Sequence, residues 1–230
     1  MNALRHQLLD AAGVEHGFGV RGVAPPPGLR RPRQVHGASV TQASACAGAD
    51  APRADAIVSA LPGVPVGVVT ADCVPILVAA ESGAAVAAIH AGWRGLASGV
   101  IAAGIGALRA ESGGEARLVA AIGPHIGGCC YEVDEPVLEA LAPTFGGDLA
   151  AALRPARPAH AWLVLGRLAH TALLRAGLAP SALGQLPRAC THCDPVRFHS
   201  YRREGASAGR LHHFIAARGG PGLTRGGEAP

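Results

Sequence analysis

Between residues 55 and 122 the chain repeats one pattern: short apolar runs rich in Val and Ile, separated by Gly, Pro and acidic residues. The runs are 55–59 (DAIVS), 64–70 (VPVGVVT), 75–80 (PILVAA), 84–90 (AAVAAIH) and 117–122 (RLVAAI). Runs of this length are too short for helices and read as strands. The ESG between the third and fourth predicts a hairpin. Pro75 is expected to stop its segment from continuing as a central ladder. Residues 95–110 break the pattern, because Leu96, Val100, Ile101, Ile105 and Leu108 recur at helical spacing. Hairpins mixed with helices predict an α/β (α+β) fold. It would be a single domain over residues 1–218, with mixed β-sheets packed against flanking helices rather than a regular βαβ array.

Elsewhere the punctuation is weaker. Residues 21–33 are rich in Pro and Arg and read as an irregular loop. Asp134 is placed to cap a helix with Pro136 in its first turn, running to about Leu141. Residues 143–160 read as loop, and 162–176 as a helix stopped by Gly177. Short strands are expected near 197–203 and 210–217, and a flexible tail over 219–230.

Composition narrows the chemistry. Aromatic residues are only 3%, so the core must be built from Ala, Val, Leu and Ile. The chain has no lysine, and all 20 of its basic residues are Arg. Schiff-base and P-loop lysine chemistries are therefore excluded. The net charge of +4 favours anionic ligands. Scattered arginines and few stacking aromatics favour a small anion over nucleic acid. No apolar run is long enough to span a membrane. The N-terminal MNALRHQLLDAAGVEHG lacks the pattern of an export signal, so the cytoplasm is the expected location. The six cysteines (46, 73, 129, 130, 190 and 193) are then expected as thiols or ligands rather than disulfides.

Three residues stand where an element meets a loop: His36 in RQVHG, Cys73 in TADCVP and His90 before AGWRG. Thiolate and imidazole are the donors Zn²⁺ prefers, and three protein ligands leave a fourth position for water or substrate. An ion there lowers the pKa of water towards about 7. Asp72, beside Cys73, is placed to orient a ligand or that water. Spacing alone leaves open that the three are simply packed or hydrogen-bonded. Cys190 and Cys193 form a lone CxxC without a second pair, which is weak support for another metal. Cys129 and Cys130 read as buried structural thiols.

The segments RQVHG, TADCVPILVA, AAIHAGWRG, AIGPHIGGCCYEV and FHSYRREG…GRLHHFIA occur in one order. With them the chain resembles the YfiH-type laccase-domain family, also labelled multicopper polyphenol oxidase, from about His16 to Ala217. The resemblance implies a YfiH/CNF-like sandwich and a metal held by His36, Cys73 and His90. It also implies phosphorolysis of adenosine, inosine and methylthioadenosine, and deamination of adenosine. The alternatives it carries are a copper-dependent polyphenol oxidase and an editing hydrolase of peptidoglycan precursors. A metal-stabilised scaffold without catalysis is a further alternative.

Dispersed histidines without an H-x-H pair do not suit a multicopper cluster, although His/His/Cys ligation can hold copper. Purine nucleosides and inorganic phosphate are the expected partners, with the protein a monomer or homodimer. Arg94, opening a helix after His90, is the candidate phosphate ligand. Arg21 matches a family position near the site. Gly92, Trp93, Gly123, Tyr131 and Arg202 complete the candidate substrate contacts, with Tyr201, Arg202 and Arg203 in the S-Y-R-R segment. APPPGLRRP replaces a longer stretch that helps wall the pocket in relatives, and His199 stands where an aromatic is usual.

Overall fold

The computed structural model describes residues 2–218, so the expected tail lies outside the described residues. In chain order the elements are α1 (Gln7–Ala11), β1 (Glu15–Gly17), β2 (Val40–Gln42), β3 (Ala56–Ser59), β4 (Pro65–Thr70), β5 (Val74–Ala80) and β6 (Val86–Ala91). Then come α2 (Trp93–Ala97), α3 (Val100–Glu111), β7 (Leu118–Ile122), β8 (Glu132–Asp134), α4 (Glu135–Phe145) and α5 (Gly147–Ala151). The last are β9 (Leu153–Pro155), β10 (His160–Leu163), α6 (Leu165–Arg175), β11 (Leu183–Gln185), α7 (Tyr201–Glu204) and β12 (Leu211–Ala216).

A six-stranded mixed sheet in the order β11-β7-β5-β6-β3-β2 forms the centre. The β5–β6 hairpin lies in its middle, with Ala79 opposite Val86. The strand period of two divides side chains between two buried faces. Val74, Ile76 and Val78 of β5 point into a core shared with Leu96, Ile101, Ile105 and Leu108, with Leu141 of α4 and with Leu168 and Leu173 of α6. Leu77 and Ala79 point the other way, into a core shared with Val66, Val68, Phe18 and Ile215. That second core is closed by the antiparallel sheet β1-β12-β4. The result is a helical layer, a central sheet and a smaller sheet, which is why β5 and β6 are apolar on both faces rather than alternating. A third sheet, β8-β10-β9, adds Val133 and Leu163 to the first core.

Several local expectations are overturned. Pro75 lies inside β5, a central strand, paired with His90. It sits one residue from the strand's start, and its carbonyl still accepts from Gly123 N–H. The single helix expected over 95–110 is two, α2 and α3, divided at Gly99, which adopts φ 81°. The loop expected over 143–160 holds the end of α4, all of α5 and β9. Trp162 and Leu163 belong to β10, so α6 starts later than its apolar run suggested. Residues 201–204 form a helical turn instead of a strand, capped by Ser200 Oγ, which accepts from Arg203 N–H.

Candidate metal centre

The register of the central sheet brings distant residues together. Pairing of Val74 with Ala91 sets Cys73 opposite Gly92 at one end of the hairpin. Pairing of Ala56 with Ile89 sets Asp55 beside His90, whose N–H donates to the Asp55 carbonyl at 2.7 Å. His36 approaches from the loop before β2, which runs parallel to β3. The donor atoms of His36, Cys73 and His90 all lie within 4.8 Å of one another. The trio grades from exposed His36 through half-buried Cys73 to buried His90. The two imidazoles meet edge to face, with centroids 4.8 Å apart.

Asp55, which the sequence reading missed, organises this arrangement. It is fully buried, and Oδ1 accepts from His90 Nδ1 at 2.8 Å. The same carboxylate accepts the N–H groups of Val35, of His36 at 2.9 Å and of Gly37 at 2.7 Å. It thereby holds the His36 backbone at φ 61°, a left-handed conformation costly for a side chain of this kind. A carboxylate accepts only, so Nδ1 of His90 donates the proton of this bond and Nε2 is the nitrogen available to an ion. The one available signal was an Asp at the head of an otherwise apolar strand.

Electrostatics follow from these contacts. Burial opposes ionisation of Cys73, but hydrogen bonds from His36 and His90, and their charges, bring its thiol down to about 6. Burial opposes protonation of His90, but Asp55 and Cys73 hold it up at about 9. Asp55 itself is kept below the usual carboxylate range, because its bonds to His90 and to Gly37 N–H outweigh its burial. The donor set suits a divalent cation, which replaces the protons that these groups share. The backbone leaves room for it: a Cβ on Gly92 would stand 2.9 Å from Cys73 Sγ and 3.3 Å from the His36 ring.

The other expected residues divide. Asp72, at φ 93°, is nearly buried and its carboxylate is already committed. Oδ1 accepts from Thr191 Oγ1 at 2.5 Å, and Oδ2 from Ser200 Oγ at 3.0 Å and Arg202 N–H at 2.6 Å. It ties the Cys73 turn to the 191–202 segment, so it acts on its neighbour through the backbone. Arg94 is exposed, its guanidinium 4.2 Å from the centre of the half-buried Trp93 ring. The helix it opens has only five residues, too few to supply the dipole expected there. Arg202 lies 5.1 Å over the Tyr131 ring and donates to the Glu132 carbonyl. Burial, followed by the charge of Cys73, pushes the Tyr131 hydroxyl up to about 12.

Two residues face elsewhere. Arg21 donates to the Phe198 carbonyl and to the Glu204 carboxylate, which also pairs with Arg203 and His199. That pairing occupies the guanidinium expected to meet substrate. Gly123 is pressed against Phe18, where a Cβ would come within 2.1 Å of the ring; its role is packing. The glycine loop that follows does not present free N–H groups throughout, since Gly127 N–H donates to Cys190 Sγ.

Comparison with known proteins agrees with this architecture. Residues 20–218 match the family described as multi-copper polyphenol oxidoreductase laccase. A purine nucleoside phosphorylase from Xylella fastidiosa is 39% identical over 181 residues, covering 76% of this chain and 67% of that protein. The adenosine deaminase RL5, from an unknown prokaryotic organism, is 35% identical over 156 residues, covering 68% of this chain and 59% of its own. The crystal structure of YlmD from Geobacillus stearothermophilus superposes with a TM-score of 0.84 at 26% identity, covering 95% of this chain and 97% of that one. No described helix is long and apolar enough to cross a membrane. On sequence match and shared fold together, the chain belongs to the multi-copper polyphenol oxidoreductase laccase family.

Proposed function

We propose that His36, Cys73 and His90 hold one Zn²⁺ and that the protein acts on purine nucleosides. The proposed reactions are phosphorolysis of adenosine, inosine and methylthioadenosine to base and (methylthio)ribose 1-phosphate, and deamination of adenosine. The carrying observation is the convergence of the three donors within 4.8 Å, with Asp55 orienting two of them. The names of the relatives, phosphorylase and deaminase, supply the substrate class. When bound, the ion supplies Lewis-acid activation at one open position.

The chain's own residues do the rest. Asp55 fixes the tautomer and direction of His90 and the backbone of His36, so the donors need no rearrangement. Arg94, exposed four residues after His90, offers a planar fork to phosphate, and its seat on Trp93 limits the orientations it samples. Tyr131 and Arg202 form a stacked pair that shares its electrostatic surroundings with Cys73 and Arg94. They are the proposed wall for the nucleoside. A multicopper oxidase requires several clustered ions. Among the described residues the only groups of three or more metal-type donors are this trio and a set of four cysteines, neither of which is a histidine-rich cluster.

The test is incubation of zinc-replete protein with adenosine and phosphate, reading adenine, inosine, hypoxanthine and ribose 1-phosphate by mass. Turnover of no nucleoside, together with phenol oxidation by the copper-loaded protein, would overturn the proposal.

A further inference from the structure

Four cysteines outside the proposed nucleoside site converge on the surface, from two loops that the central sheet brings together. Strands β7 and β11 are parallel neighbours with Ile122 opposite Gln185, so the chain leaves both at the same level. The pairing continues past their ends. His125 N–H donates to the Ala189 carbonyl, and Thr191 N–H donates to that of His125. A few residues further on, Cys129 and Cys130 of the first loop meet Cys190 and Cys193 of the second.

The sulfurs form a compact group with all four within 4.8 Å of one another. Individual separations are 3.8 Å for Cys129–Cys190, 3.6 Å for Cys129–Cys193, 3.6 Å for Cys129–Cys130 and 3.2 Å for Cys130–Cys193. Four thiolates about 2.3 Å from one tetrahedral ion stand about 3.8 Å apart. The group is thus of the right size for a single ion. A polynuclear iron–sulfur cluster would spread the sulfurs more widely, because it ties thiolates to separate irons. The backbone is shaped for the same purpose. Cys190 Sγ accepts the N–H of Gly127 at 3.2 Å. Such a turned-in N–H group offsets the negative charge of a ligating thiolate.

We propose that Cys129, Cys130, Cys190 and Cys193 form a second Zn²⁺ site, closed and structural, that staples the loop after β7 to the loop after β11. Four protein ligands leave no open position, which separates this site from the trio. Its effect reaches the trio through Thr191, which lies between Cys190 and Cys193 and donates to Asp72, the neighbour of Cys73. Arg203 reinforces the same loop by donating to the carbonyls of Thr191 and His192, each at 2.7 Å. The lone CxxC of the sequence is one half of a ligand set whose other half is the CC pair some sixty residues earlier.

The proposal is independent of the reaction catalysed, and metal content tests it on the full chain. Cys193→Ser should lose one equivalent of zinc relative to wild type while retaining the ion lost in Cys73→Ala. Since Cys193→Ser also removes a contact within its loop, a second measurement uses Cys73→Ala alone, refilled with Co²⁺. The expected result is the intense visible absorption and thiolate-to-cobalt charge transfer of a tetrahedral all-sulfur site. Absence of that spectrum, a metal content equal in Cys193→Ser and wild type, iron in place of zinc, or disulfides in the mass of the non-reduced protein would each overturn it.

Discussion

Asp55 shows how much a single side chain can decide. Its carboxylate fixes His90 through a side-chain bond and His36 through backbone bonds, so two ligand candidates depend on one buried group. Replacing Asp55 with Asn keeps the shape but removes the charge and one acceptor. Zinc affinity, measured by competition with a chelator, should fall about 10–100-fold, the usual effect of losing such a partner. Cys73→Ala should abolish zinc binding at the trio and all nucleoside turnover while leaving the circular dichroism spectrum unchanged. An active variant lacking that zinc would contradict the assignment. Arg94→Ala should slow phosphorolysis more than deamination, because only the first reaction needs an anion bound. Equal losses in the two rates would argue against a phosphate role. His36, Cys73 and His90 were legible in the sequence through the family motifs that carry them, since their spacing alone left open that they are simply packed or hydrogen-bonded. Asp55 was not, since a lone Asp before a strand carries no mark of the partners it will meet.

At the scale of elements, the α2–α3 break shows what periodicity misses. Leu96 and Val100 share a spacing that one continuous helix would satisfy, yet Gly99 turns the chain at φ 81° between them. Three glycines in this stretch should respond differently to alanine. Gly99 has open space around it but a left-handed backbone, so Ala there should cost about 1–2 kcal/mol. Gly104 has ordinary helical dihedrals but faces Ile89 at 2.7 Å, and overpacking should cost about 1–3 kcal/mol. Gly106 has neither constraint, and Ala should stabilise by about 0.5–1 kcal/mol. Chemical denaturation of the three variants gives the order; a stabilised Gly99→Ala would refute the turn. The missed strands β1, β2, β8, β9 and β11 have only three residues each. Strands so short exist because a longer neighbour supplies their hydrogen bonds, and no pattern of that length distinguishes them from loop.

For the whole molecule, buried histidines away from the trio make stability depend on pH. His213 is fully buried; burial, and then the charges of His212 and His90, bring it down to about 3. Its Nδ1 accepts from Gly19 N–H, so Nε2 carries the proton and donates to Thr70 Oγ1 at 2.9 Å. Protonation would break the bond from Gly19. His16 is depressed for the same primary reason and accepts His6 N–H at Nε2. Above the unfolded value of about 6.5 both states are neutral, and the stabilisation is complete. As pH falls from there towards 3 the unfolded chain binds a proton that folded His213 refuses, and stability is lost at about 1.4 kcal/mol per pH unit, with His16 acting in the same direction. The melting temperature should therefore fall below pH 6.5, and His213→Gln should flatten that fall. An unchanged pH profile in the variant would remove His213 from the account.

Local pattern was enough for the strand-rich centre and the mixed architecture. Apolar runs and glycine punctuation are properties of short stretches, and burial acts on each stretch directly. The pairing of Asp55 with His90, the diversion of Arg21 to Glu204 and the meeting of Cys129 and Cys130 with Cys190 and Cys193 were decided only by the tertiary structure. Each joins residues far apart in the chain through the register and order of strands, and that register is set by the packing of two cores at once.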